Sequence, residues 1–195
     1  MIQTFCGYTG LLNCLACLTF ALFIYFKKRS GKVNRIFALW SLCVAFWSLG
    51  YYMWLFTPDY DSALTWSRIL MAGAILIPAT FLHFTLVYLD LDDSHRPVLT
   101  AGYVLSIAYL LLDFTPLFIE SVEPRFWFRW WPVPGKLYHL FQLYFVAAVF
   151  FCQIFLTSDH LPTMMMVEGN MVLYLNVTIY NYYIVKIILQ FWTRS

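Results

Sequence analysis

Residues 69–89 read ILMAGAILIPATFLHFTLVYL, twenty-one positions without a charge, bounded by Arg68 and Asp90. A helix needs about 20 apolar residues to cross the hydrocarbon core of a bilayer. Within that core it satisfies its own backbone polar groups. The stretch therefore predicts a transmembrane helix, and the rest of the chain repeats the pattern. Residues 1–26, 36–58, 97–112, 137–158 and 169–185 are also free of charge. Six spans are predicted, at about 5–26, 36–57, 65–89, 97–118, 137–157 and 170–192. The fold class is an all-α polytopic transmembrane helical bundle, a single domain over residues 1–195 with loops too short for a soluble one.

Composition points the same way. Of 195 residues 62% are hydrophobic, 21% aromatic and 11% charged, and the mean hydropathy is +0.71. A soluble domain carries about 25% charged residues. A net charge of +2 gives no electrostatic footprint for nucleic acid. Cys6, Cys14, Cys17, Cys43 and Cys152 all lie in apolar stretches, so no secreted disulfide framework is expected.

Lys27, Lys28, Arg29, Lys32 and Arg35 crowd one short loop. The excess of Lys and Arg in cytoplasmic loops puts this one inside and the N-terminus outside. The first apolar run is no cleavable signal, because its basic residues follow it. Alternation then places residues 58–61 and 120–136 outside, and 91–96 and 158–169 inside. The expected location is the cell (inner) membrane, crossed several times. Pro97 suits a first helical turn, Pro78 falls inside the third span, and Trp47, Tyr51, Tyr52 and Trp54 resemble an interfacial belt.

Polar residues inside spans are the candidates for function. Arg68 stands one turn into the third span and can extend outward along its stem. His83 is the deepest, and the plainest role for it is a hydrogen bond to a carbonyl or hydroxyl of a neighbouring helix. Asp113 approaches the outer end of its span, and His139 lies at the outer interface. Cys14-Leu15-Ala16-Cys17 has redox spacing, but mid-membrane burial opposes the thiolate that such a pair needs; small residues in a helix contact fit better. The outer loop packs Phe126, Trp127, Phe128, Arg129, Trp130 and Trp131 together. It reads either as an interfacial segment, with tryptophans anchored and arginines on phosphates, or as an aromatic lid for an apolar or cationic ligand. Arg68, His83, Trp127, Arg129, Trp130 and Trp131 are the nominated ligand or signal residues. No catalytic residue, cofactor or metal site is expected, for want of paired carboxylates, a phosphate loop or a Cys/His cluster.

Several strings resemble a known family. Asn34-Arg35-Ile36-Phe37-Ala38-Leu39, then Ala45-Phe46-Trp47 and Gly50-Tyr51, are similar to the second span of the seven-transmembrane sensor region at the N-terminus of bacterial histidine kinases. Trp66-Ser67-Arg68-Ile69, Pro78 and Phe81-Leu82-His83-Phe84 with Tyr88 resemble its third span. Gly169-Asn170 and Tyr180-Asn181-Tyr182-Tyr183-Ile184-Val185-Lys186 resemble its last. The likeness covers most of the chain. It implies a non-enzymatic sensory input module of two-component signal transduction. Its partners would be the lipid bilayer, a small ligand, and a cytoplasmic signalling kinase or a second copy. The family has seven spans where six are counted, and the chain stops at Ser195 without a phospho-accepting histidine helix, so the expectation is a truncated relative. The alternative is a small transporter or channel subunit, which requires Arg68, His83, Asp113 and His139 to line one polar path.

Overall fold

The computed structural model describes residues 2–27 and 29–157, and in them five helices and one two-stranded sheet follow one another. They are α1 (Ile2–Lys27), α2 (Lys32–Leu55), α3 (Tyr60–Tyr88), α4 (Arg96–Asp113), β1 (Ile119–Arg125), β2 (Phe128–Pro134) and α5 (Tyr138–Thr157). The sixth predicted span, the last of the family-like strings and the side of Ser195 lie outside the described residues. The chain divides into two compact units, Met1–Phe141 and Gln142–Ser195. The first holds α1 to α4 and the sheet; the described part of the second is the remainder of α5.

Among the described residues four helices are long and apolar enough to cross a membrane: α1, α2, α3 and α5. Helix α4 is shorter than its predicted span, ending at Asp113 and not near 118. At 18 residues it rises about 27 Å, close to the ~30 Å hydrocarbon core. Its exposed face is apolar, with Val104, Ile107 and Leu111 at 59%, 57% and 75% exposure. That spacing puts the three on one stripe of a helix, and lipid is the solvent that suits it.

Helices α1, α2, α3 and α4 pack as consecutive neighbours, and α3 is the most enclosed. Helix α3 begins where the Asp59 carboxylate accepts from the backbone N–H of Ser62 at 2.9 Å, the bond that a helix start leaves open. It runs on through Pro78, which deprives one carbonyl of its donor. Thr80 donates to the Leu76 carbonyl, and Ser106 of α4 donates to that of Ile75 at 3.0 Å. Hydroxyls thus hydrogen-bond the backbone around the proline, as membrane helices require.

Two glycines let α2 and α3 touch backbone to backbone. A Cβ on Gly50 would stand 2.8 Å from the Leu70 Cα, and one on Gly73 2.8 Å from the Trp47 nitrogen. Small residues at such crossings bring membrane helices close. Gly50→Ala is expected to push the pair apart and cost about 1–3 kcal/mol, the usual range for overpacking. Thermal unfolding in mild detergent would register it, and an unchanged midpoint would refute the close approach.

The segment 119–134, taken from sequence as a loop, is an antiparallel hairpin. Val122 pairs with Pro132, Glu123 with Trp131 and Arg125 with Phe128. Phe126 and Trp127 form the turn, and Phe126 takes the left-handed φ of 53°. A positive φ at the first turn position matches the twist of the strands, where glycine is the usual occupant. Proline at 124, 132 and 134 limits further pairing at the open edges.

Candidate functional site

The hairpin is fixed to the helix ends that meet it. At its base Phe118 is fully buried, its ring 6.1 Å from Tyr109, 5.5 Å from Tyr138 and 5.3 Å from Phe141. Backbone bonds close the base, with Gly135 N–H donating to the Phe118 carbonyl and Leu137 N–H to that of Leu117, both at 2.9 Å. Farther along, Phe128 stacks on Trp54 at 5.9 Å and Trp131 meets the same indole edge-on at 6.0 Å. Trp130 meets Tyr60 edge-on at 6.0 Å, and the Arg129 guanidinium lies 5.4 Å from the Trp130 ring. The hairpin thereby touches the C-terminal end of α2, the N-terminal end of α3 and the residues flanking α4 and α5.

Trp54 is 3% exposed and forms a buried cluster with Leu55 and Leu70, against which Cys6, Trp47, Tyr51 and Trp66 pack. An interfacial belt of Trp47, Tyr51, Tyr52 and Trp54 would set Trp54 among the headgroups. The structure corrects this, because the hairpin covers it. The hairpin aromatics left most outward are at the turn, where Phe126 and Trp127 are 63% and 71% exposed.

Arg68 joins this end from α3. Its Nη2 donates to the Ile119 carbonyl of β1 at 3.3 Å, while its Nε is buried without an acceptor. Its field also bears on Asp113, the last residue of α4. Asp113 is fully buried, and neither of its carboxylate oxygens has a hydrogen-bond partner. Chain spacing alone gave no sign of this juxtaposition.

Of the six nominated residues, Trp127, Arg129, Trp130, Trp131 and Arg68 thus gather at the hairpin end. His83 does not. Fifteen residues along α3 separate it from Arg68, about 22 Å. Its Nδ1 lies 2.9 Å from the Tyr103 hydroxyl of α4, whose ring stands edge-on to the imidazole. The other nominee for a polar path, His139, is exposed. Of the four groups that a transport path would need, one is therefore committed to a tyrosine at a distance from Arg68 and one is on the surface.

The opposite end carries its own tie. Lys32, at the start of α2, donates to the Asp92 carboxylate in the connection between α3 and α4. This bond and the lysine charge hold the Asp92 carboxyl below its ordinary value of 3.8. A depressed carboxylate stabilises the fold above the ordinary value, and that contribution disappears as pH falls through the lowered one. The lysine is half exposed, so the effect is expected at about 0–1 kcal/mol. Asp92→Asn should leave the chain no less stable in acid strong enough to protonate Asp92 but slightly weaker at neutrality. Equal losses at both pH values would show that the carboxylate charge plays no part.

Among the described residues no three His, Cys, Asp or Glu side chains gather as a metal site, and none of the five cysteines is in a disulfide. A family model describing the N-terminal 7TM region of histidine kinase matches residues 11–191. No curated protein matches the chain, and no solved structure does.

Proposed function

The chain belongs to the N-terminal 7TM region of histidine kinases, and from that premise we propose that it is a sensory input module in which the hairpin receives the signal. The observation that carries this reading is the Arg68–Ile119 bond, with Phe128 and Trp131 seated on Trp54. Any displacement of the hairpin must move α2 and α3 together. A signal works by binding one packing better than another, and a part tied to several helix ends alters their packing when it moves.

The nominated residues take distinct roles in this proposal. Trp127 and Phe126, exposed at the turn, meet a small ligand or the headgroup layer. Arg129, Trp130 and Trp131 pass the contact to α2 and α3. Arg68 links the hairpin to the interior, and His83 with Tyr103 holds α3 against α4 toward the other end. The N-terminus and the hairpin lie outside the cell membrane, a reading supported by the basic loop of Lys27, Lys28, Arg29, Lys32 and Arg35. Helix packing is then read on the cytoplasmic side by a signalling kinase, or within a pair of copies.

The test is a fusion of the whole chain ahead of the phospho-accepting and ATP-binding domains of a histidine kinase, assayed in membrane vesicles. Trp131→Ala should change autophosphorylation several-fold at equal membrane insertion. Output identical to the parent for both Trp131→Ala and Arg129→Ala would sink the proposal.

A further inference from the structure

Asp113 is a carboxylic acid with no exposure to solvent and no hydrogen bond to either oxygen. An ionised carboxylate so placed, without a bonded partner, is costly by several kcal/mol. Its position makes matters worse, because the C-terminal end of a helix carries partial negative charge and Asp113 closes α4. The cation whose field reaches it, among the described residues, is Arg68. That guanidinium is directed elsewhere, with Nη2 on the Ile119 carbonyl and Nε on nothing. A donor without an acceptor and two acceptors without a donor thus stand at the hairpin end without bonding each other in this packing.

We propose that Arg68 and Asp113 form a proton-responsive latch for the hairpin. Resting on the input-module reading, it names the proton as a ligand of that module. With a proton on Asp113 the carboxyl is neutral, and Arg68 stays on Ile119, holding β1 down. When the proton leaves to solvent, the buried anion draws the guanidinium to itself. The Ile119 carbonyl loses its donor, and β1 is freed from α3. Arg68 thus has two alternative partners, one on the hairpin and one on α4, and the charge of Asp113 selects between them. Bistable contacts of this kind convert a local charge change into a helix-level one.

Other titratable groups near this end are placed differently. Glu120 and Glu123 on β1, Arg129 on β2, Lys136 before α5 and His139 on α5 are exposed, so solvent screens them. Tyr109, a turn before Asp113, and Tyr138 are phenols in the aromatic cluster around Phe118. Asp59 and Asp61, at the start of α3, are exposed.

The test uses the whole chain in lipid nanodiscs. Amide hydrogen exchange of β1 is followed from about pH 5 to about pH 9, a range across which perturbed carboxylates titrate, with each rate corrected for intrinsic chemistry. Wild-type protection of β1 should fall about tenfold on going alkaline, equivalent to about 1.4 kcal/mol, while protection at Gly50 in α2 holds. Asp113→Asn should keep β1 protected throughout, and Arg68→Gln should leave it unprotected throughout. A flat wild-type profile overturns the latch, as does a pH-dependent profile that survives in Asp113→Asn. Because this measurement needs no kinase output, the latch can fail while the input-module reading stands. Hairpin variants without effect on autophosphorylation would remove that reading without touching the exchange result.

Discussion

Trp54→Ala is expected to unseat the hairpin and to lower resistance to unfolding by about 3–5 kcal/mol, the range for truncating a buried large aromatic. The indole is 3% exposed and contacts Tyr51, Phe128 and Trp131. Its loss leaves a void where α2 and β2 meet, and the hairpin cannot fill it without giving up its base at Phe118. The Nε1 has no acceptor, so the loss is one of packing and not of hydrogen bonding. Trp54→Phe should accordingly recover most of the stability. Denaturation in mixed micelles, together with quenching of the exposed Trp127 by a soluble quencher, would follow both. If Trp54→Ala unfolded at the parent's midpoint, the stacked seat would carry no weight. If Trp54→Phe were as damaging as alanine, the indole N–H would have to be bonded after all.

The helices were legible because lipid imposes a simple rule. A charge-free run of about 20 residues must be helical to satisfy its backbone, so residues 69–88 fall inside α3 and Leu89 is its C-cap. Ends were less legible. Helix α4 stops at Asp113 because the chain must turn into β1, a tertiary demand invisible in an apolar run that continues through Phe118. The hairpin itself went unread. Its strands are rich in aromatic and β-branched residues, but its turn is Phe126-Trp127 with no glycine or asparagine to announce it. Three prolines also argued against a strand. Clustering of Trp127, Arg129, Trp130 and Trp131 was visible as composition, whereas the partner of each was not. Trp54 lies more than 70 positions from the tryptophan that covers it, and nothing local in either segment specifies that pairing. His83 was readable for a related reason, since an imidazole inside a span needs a polar partner, and the Tyr103 hydroxyl of a neighbouring helix meets the need.

Replacing Arg68 tests the other end of the same argument, with a comparably large expected effect. Arg68→Leu removes the donor to Ile119 and the cation beside Asp113 in one step. Removing one partner of a buried charged pair commonly costs about 3–5 kcal/mol, because the remaining charge stays buried without compensation. The loss should be smaller in acid, where a proton can neutralise Asp113, and should grow as pH rises. Asp113→Leu alone should be milder. Arg68 would keep the Ile119 carbonyl, and its long stem can carry the guanidinium toward the interface. The double variant Arg68→Leu with Asp113→Leu should recover much of the single loss, since neither charge is then stranded and the space stays filled by apolar side chains. A cycle of these four proteins, unfolded at two pH values, isolates the coupling from the rest of the packing. Simple additivity at both values would mean that Asp113 does not depend on Arg68, and that its oxygens find their compensation elsewhere. Strong coupling confined to the alkaline value would mean that the charge on Asp113, and not its shape, ties α4 to α3 beneath the hairpin.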